Sequence, residues 1–399
     1  MTKRKLRVGL ISSYVPKKCG IATHSRDLLE AMRSSDKDGF DWGLIAAEDN
    51  KDSYSYCHQA VAILKKDDLK SYKAAATAMN KWQPDIVLLA HEFGLYGGRW
   101  VDFNQHGIDR HDPTGDYVLT LINGLTAPII TTLHTVIPEP DSERHDTMRA
   151  ISDRSARLVT MTNDARQTLK FFYGIDRAHV AVIPHGVPQP VQRDKKVIIK
   201  ELGLDENRFY LLVTGLIGPN KGIDYIIQAL PEIIERHPNV TLLVVGQTHP
   251  DILASVGEIY RESIIQLASL LGVSDHVQCV NEYLPTDKLV DYMTIADVYL
   301  TIHSEPGQAA SGTLAYALGC GLAAISTPYR YAKEVLANGR GFLVPFGSST
   351  AITQQVNTLI EDEKLLIKTK SKAALYGKSM SWAKVGEEYM SLLKDIIKE

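Results

Sequence analysis

Cysteine is scarce. The 399 residues hold four, Cys19, Cys57, Cys279 and Cys320, which lie far apart and form no C-x-x-C pair. That argues against a disulfide framework or a structural zinc site and fits a reducing compartment. No apolar run approaches the roughly 20 residues that a membrane span needs. The N-terminal MTKRKLRVGLISSYVP has a short apolar segment broken by Ser12, Ser13 and Pro16, which is the pattern of a first strand and not of a signal peptide. A surplus of positive charge is also missing. The net charge of -3 argues against a general nucleic-acid binder, because phosphate-backbone affinity needs an excess of Lys and Arg. Lys3, Arg4, Lys5 and Arg7 with Lys17 and Lys18 either form the solvated start of a strand or leave room for peripheral contact with an anionic surface. The expectation is a cytoplasmic enzyme or binding protein without a nucleic-acid partner or a membrane span. Two nucleotide signatures are absent as well. Gly9 alone does not supply the G-x-G-x-x-G dinucleotide fingerprint, and Lys221 is followed by Gly222, so no Walker P-loop is present.

What is present is ordinary globular composition, 44% hydrophobic and 23% charged, in a chain too long for one core, so two domains are expected. Short apolar or β-branched runs alternate with helical patterns, which predicts parallel sheets covered by helices, an α/β class. Strands are expected at Leu6–Ile11, Trp42–Ala46, Asp85–Ala90, Ile129–Leu133, Leu158–Met161 and Val180–Ile183. A second series follows at Phe209–Thr214, Val240–Val245, Val277–Val280, Asp297–Leu300, Ala323–Ser326 and Gly341–Val344. Between the two series, Pro184-His185-Gly186-Val187-Pro188-Gln189-Pro190 and the charged Arg193–Lys196 read as an interdomain hinge. The tail carries Trp382, Val385, Tyr389, Leu392 and Leu393 at helical spacing, a stripe expected to pack into a core.

In such sheets ligands collect at the carboxyl ends of the strands. His91 and Glu92 follow the third strand and His134 follows the fourth. Either histidine alone is most often structural, but two at strand ends are worth more than one. Residues 97–116 form a long polar loop that is either a lid or docking loop on the acceptor side or a surface insertion without a role. In the second half, GLIGPNKG runs from a strand into a helix and sets Lys221 beside the helix N-terminus, an unfavourable place for a cation unless an anion is shared there. Residues 301–321, TIHSEPGQAASGTLAYALGCG, read as strand, small-residue loop, then a helix N-capped by Ser311 with Thr313 in its first turn. Alone, that stretch fits either an ordinary βα turn or a phosphate-binding loop. Asp36-x-Asp38 is a D-x-D string in a polar turn, read as solvated and not as a metal ligand.

Taken together, TGLIGPNKGIDYIIQAL, ADVYLTIHSEPGQAASGTLAYALGCGLAAISTPY, KEVLANGRGFLVPF and VIPHGV resemble the GT-B glycosyltransferases, and more narrowly glycosyltransferase family four (glycosyl transferases group 1). The resemblance covers nearly the whole chain. It implies two Rossmann-like domains around a cleft, here residues 1–188 with 378–399 on the acceptor side and 189–377 on the nucleotide-sugar side. It implies retaining transfer of a hexose from a nucleoside-diphosphate sugar to a hydroxyl of a sugar or glycan, with no resident cofactor or metal; GDP-mannose and UDP-glucose-type donors both fit, and the family resemblance favours mannose. By resemblance Lys221 pairs with the donor diphosphate, His134 and Gln308 position the sugar, and Gly20 sits in the loop closing over the phosphates. Gly218, Gly222, Glu305, Ala309, Ala310, Ser311, Gly312, Thr313, Tyr316 and Glu334 surround the donor, with Glu334 in the loop after the phosphate-binding helix. His91 and Glu92 belong to the acceptor side.

The sequence also departs from that family. Relatives carry two glutamates ahead of an A-M-A-C-G segment; aligning Ala317–Gly321 to it puts Gln308 and Tyr316 at those positions, unless Glu305 serves as the first acid through a slip in the loop. An arginine usual near the phosphate lysine is Leu216 here. The rival expectations are a degenerate GT-B protein that binds sugar, nucleotide or a partner without turnover, and an epimerase or hydrolase on the same fold.

Overall fold

The structure is a computed structural model that describes residues 4–36, 39–97, 117–190 and 193–398. The proposed loop 97–116, except Gly97, lies outside the described residues. The chain divides into two compact units: Met1–Gly186 with Trp382–Glu399, and Val187–Ser381.

In the first unit, β1 (Leu6–Ser12), β2 (Phe40–Glu48), β3 (Ala60–Lys65), β4 (Ile86–His91), β5 (Ile129–Leu133), β6 (Arg157–Thr160) and β7 (Val180–Val182) form one sheet in the order β3-β2-β1-β4-β5-β6-β7. Every pairing is parallel; β1 lies on β2 from Leu6 opposite Phe40 to Ser12 opposite Ala46. The second unit repeats the scheme with β8 (Phe209–Thr214), β9 (Val240–Val245), β10 (Val277–Val280), β11 (Val298–Thr301), β12 (Ala323–Ser326) and β13 (Gly341–Leu343), ordered β10-β9-β8-β11-β12-β13 and again parallel. Central strands such as IVLLAH and VTLLVV are buried along their whole length, as a sheet covered on both faces requires. Each unit is therefore a Rossmann-like parallel sheet. In each, the strand order reverses once, between β1 and β4 and between β8 and β11, and the crevice beyond those strand ends is where such sheets take ligands.

The C-terminal helix Trp382–Lys398 belongs to the first unit and buries Val385, Tyr389, Leu393 and Ile396. Burying each such side chain contributes roughly 1.5–3 kcal/mol. The Tyr389 hydroxyl is also hydrogen-bonded to Thr132 Oγ1 of β5 at 2.8 Å.

Several expectations change. β3, sequence AVAILK, has no place in the expected strand list; it is an edge strand, mostly half-buried, without the continuous apolar run of its neighbours. The charged residues after the prolines are not linker. Asp194 caps a helix, Lys195–Glu201, by accepting the Lys196 N–H. Arg193 forms ion pairs with Asp291 at 2.8 Å and Glu201 at 2.6 Å within the second unit. Asp36 is not solvated but pairs with Lys394 at 3.1 Å, its side chain 6% exposed. Lys17 is held by Asp49 at 2.6 Å and is not free for an anionic surface.

Candidate functional site

In the second unit the crevice beyond β8 and β11 brings together four sequence-distant stretches. Gly215 follows β8, and a short 3-10 turn, Pro219–Lys221, starts from Gly218 in extended backbone and leads to Gly222, the N-cap of helix Ile223–Arg236. β11 leads through Ile302 to His303. Lys221 Nζ lies 3.5 Å from His303 Nε2. A Cβ placed on Gly215 would sit 3.4 Å from Lys221 Nζ and 3.3 Å from Thr313 Cγ2, so the lysine and the first turn of helix Gly312–Gly319 share one small space. Gly222 has φ +59°, and a Cβ there would lie 2.2 Å from the Ile302 carbonyl oxygen. Only glycine fits there. The same holds for Gly246 after β9, with φ +146° and a Cβ 1.9 Å from the Gly215 carbonyl oxygen.

Lys221 is half-buried, and among the described residues no carboxylate pairs with it. Desolvation lowers its pKa to about 8. An unpaired cation kept away from water is unfavourable. His303 is 2% exposed. Burial first, and the Lys221 charge second, lower its pKa to about 2. His249 on the loop after β9 is depressed by burial, with Asp251 opposing and Lys221 adding to the effect.

The loop after His303 carries the remaining expected donor residues. Ser311 caps helix Gly312–Gly319 by accepting the Leu314 N–H at 3.3 Å. Ala309 is buried, and Ala310, Gly312 and Thr313 are half-buried. Gln308 donates its amide to the Ala310 carbonyl at 2.9 Å. Exposed Glu305 accepts the Gly307 N–H at 3.0 Å. Tyr316 is 6% exposed, in the core beneath the helix. Glu334 is not in a loop: it lies inside helix Arg330–Val335, which starts as soon as the chain leaves extended Tyr329.

In the first unit, Gly20 opens helix Gly20–Ser35 after Cys19, and a Cβ there would meet open space. His91 ends β4 and His134 follows β5, joined by a His134 N–H to His91 carbonyl bond of 2.9 Å. His134 also belongs to a cluster that no sequence spacing marks. His24 lies edge-on to His134 at 5.0 Å, to His185 at 4.9 Å and to Trp382 at 5.3 Å between ring centroids. His91 Nδ1 and His134 Nε2 are buried without a hydrogen-bond partner among the described residues. Glu92, raised to about 7 by burial, accepts the Thr135 hydroxyl at 2.6 Å.

Two family signatures match this chain: Glycosyltransferase Family 4 over residues 19–189, and Glycosyl transferases group 1 over residues 194–376. The chain belongs to the group 1/family 4 glycosyltransferases. Among its relatives, the D-inositol 3-phosphate glycosyltransferase of Segniliparus rotundus is 30% identical over 195 residues, 45% of this chain and 42% of that one. The Rhodococcus jostii protein of the same name is 27% identical over 274 residues, 64% of this chain and 58% of that one. The matched stretch is thus less than two thirds of these relatives' length. The fold matches a glycosyltransferase from Rickettsia africae at a TM-score of 0.73 and 17% identity, covering 100% of both chains. It also matches Anabaena HepE, solved with UDP and glucose, at a TM-score of 0.71 and 16% identity, covering 98% of this chain and 100% of that one.

The buried histidines are expected to make the first unit acid-sensitive. Burial, and for His24 and His134 the neighbouring imidazoles, depress the group: His134 to about 3, His91 to about 4, His24 and His185 also downward. Unfolded histidine takes up its proton near 6.5, so below that pH the unfolded chain binds more protons and stability falls on acidification. Each histidine contributes up to about 1.4 kcal/mol per pH unit across the window. Glu92 opposes this, since a carboxyl raised to about 7 favours the fold at low pH. Urea unfolding of the first unit between pH 7.5 and 5 should therefore show a falling midpoint that flattens in His24→Phe. A midpoint independent of pH would contradict this.

Proposed function

We propose that the protein is a retaining hexosyltransferase that moves a sugar from a nucleoside-diphosphate donor to a hydroxyl of a sugar or glycan acceptor. The observation that carries this reading is Lys221: a half-buried cation without a carboxylate partner among the described residues, beside Gly215, Thr313 and the start of a Ser311-capped helix. Such a place suits an anion. The difficult part of glycosyl transfer is charge building on the leaving diphosphate, and donors already in position are the strongest way to stabilise it. Lys221, the amides of Ala309–Gly312 and the Thr313 hydroxyl are assigned that role. Gly218 and Gly222 let the backbone approach, and Gly20 lies in the loop assigned to closing over the phosphates. His134 and Gln308 are assigned to positioning the sugar, Glu305 to the donor, and His91 and Glu92 to the acceptor. In this reading the nucleotide sugar is a co-substrate, and neither a metal nor a resident cofactor is required. GDP-mannose and UDP-glucose-type donors are the two to test, mannose being the hexose favoured by the family resemblance and UDP with glucose being what Anabaena HepE was solved with.

A degenerate binder is the second reading, supported by Tyr316, a core residue where the family resemblance implies an acid, and by Gln308, whose amide is turned onto its own loop. Incubation with each donor and a panel of glycan acceptors separates the two. Release of nucleoside diphosphate with transfer of sugar, and an unchanged anomeric configuration by NMR, supports the transferase. Nucleotide binding with no release or transfer favours the binder.

A further inference from the structure

The edge of the first sheet opposite His91 and His134, where β1 and β2 begin, borders an open cleft of about 530 Å³ whose walls include Lys5, Arg7, Arg33, Trp42 and Trp82. One carboxylate sets up this edge. Asp85 accepts the Arg4 guanidinium on Oδ1 at 3.0 Å and the Arg7 backbone N–H on Oδ2 at 2.8 Å. With Asp85 engaged in that way, the Arg7 guanidinium lies over Trp82, its Cζ 4.3 Å from the ring centroid. In that position the guanidinium N–H groups have no acceptor among the described residues. Lys5 and Arg33 also have no ion-pair partner there, and Asp41 is the one carboxylate among the described residues that line the cleft.

Like charges gathered around one volume repel each other, and an entering anion relieves that repulsion. A guanidinium over an indole with unpartnered N–H groups offers a fork for two oxygens of one group, the geometry of phosphate recognition. The indole of Trp42 adds an apolar face for the body of a ligand. We propose that this cleft binds a phosphate ester, with the phosphate on Arg7, Arg33 and Lys5 and the carbon skeleton against Trp42. None of these residues is among those assigned to donor or acceptor, and Lys221 belongs to the other unit.

Trp42 and Trp82 are two of the four tryptophans, so intrinsic fluorescence reports on the cleft. The full-length protein is titrated with glucose 6-phosphate, with inorganic phosphate, with glucose, and with phosphatidylglycerol/phosphatidylcholine vesicles against phosphatidylcholine alone. The expected result is a saturable change with the phosphate ester or with the anionic vesicles, weakened by salt and by roughly tenfold or more in Arg7→Gln. The Arg33→Gln variant, at an exposed position in the last turn of helix Gly20–Ser35, should weaken it as well. Saturation by glucose 6-phosphate identifies a soluble ester, and a response to anionic vesicles alone identifies a lipid headgroup. The response should persist in Lys221→Ala, so the cleft and the donor site stand or fall separately. No response to any probe, an unchanged response in both arginine variants, or loss of the response in Lys221→Ala would overturn the proposal.

Discussion

Lys221→Ala is expected to lower kcat/KM for sugar transfer by roughly a hundredfold or more, because removing one positioned donor to a developing anion typically costs about 2–4 kcal/mol of barrier. The fold should survive. A lysine whose pKa is lowered to about 8 by desolvation penalises the folded state at neutral pH, since the unfolded chain holds its proton more tightly up to about pH 10. Removing it should therefore leave the melting temperature unchanged or raised, whereas a lysine present for structure would leave a less stable protein. The same pKa sets a pH dependence. A diphosphate needs the ammonium form, so nucleotide affinity should weaken as pH rises from 8 to 10, by at most about tenfold per unit. Kinetics and melting of the variant, with nucleotide titrations across that range, check all three. A near-normal rate would remove Lys221 from the site.

The second large effect is expected at Gly222. With φ +59° and a virtual Cβ 2.2 Å from the Ile302 carbonyl oxygen, alanine meets a left-handed backbone and a collision with main chain that has no rotamer to yield. The left-handed conformation alone costs about 1–2 kcal/mol, and relieving the collision must separate the head of helix Ile223–Arg236 from the chain leaving β11. Gly222→Ala should lower stability by about 3 kcal/mol or more and weaken nucleotide binding together with it, since Lys221 and His303 sit on the two pieces forced apart. Differential scanning calorimetry and a nucleotide titration on the same sample test this. Full stability with full binding would show that the contact is unimportant.

How much of this was legible in the sequence depended on how strongly each segment advertised its environment. The runs IVLLA (residues 86–90) and VTLLVV (Val240–Val245) read as strands because both faces are covered and all their side chains but Thr241 are apolar. AVAILK escaped because an edge strand has no such requirement. Lys195–Glu201 escaped because its charges resemble linker until Asp194 is seen capping a turn and Arg193 is seen bridging to Asp291. Around the candidate site, Lys221 and Ser311 stood out through position at helix starts, a local property. His303, His249, His24 and Gly246 did not. Their significance comes from neighbours far along the chain: Lys221 beside His303, His134 and His185 beside His24, the Gly215 carbonyl against Gly246. The one available signal, position at or just past a strand end, marks His303, His249 and Gly246 but not His24, which lies on a helix.

The central claim is that the second unit holds a nucleoside diphosphate on Lys221. The most direct measurement is the melting temperature of the protein with UDP, GDP and ADP in turn, beside Lys221→Ala. A ligand that binds only the folded state stabilises it by about 2.7 kcal/mol at a hundred times its dissociation constant, a readily measured shift. The expected result is a rise with at least one of the three nucleotides that disappears in the variant; no rise with any of them, or a rise that the variant retains in full, would contradict it.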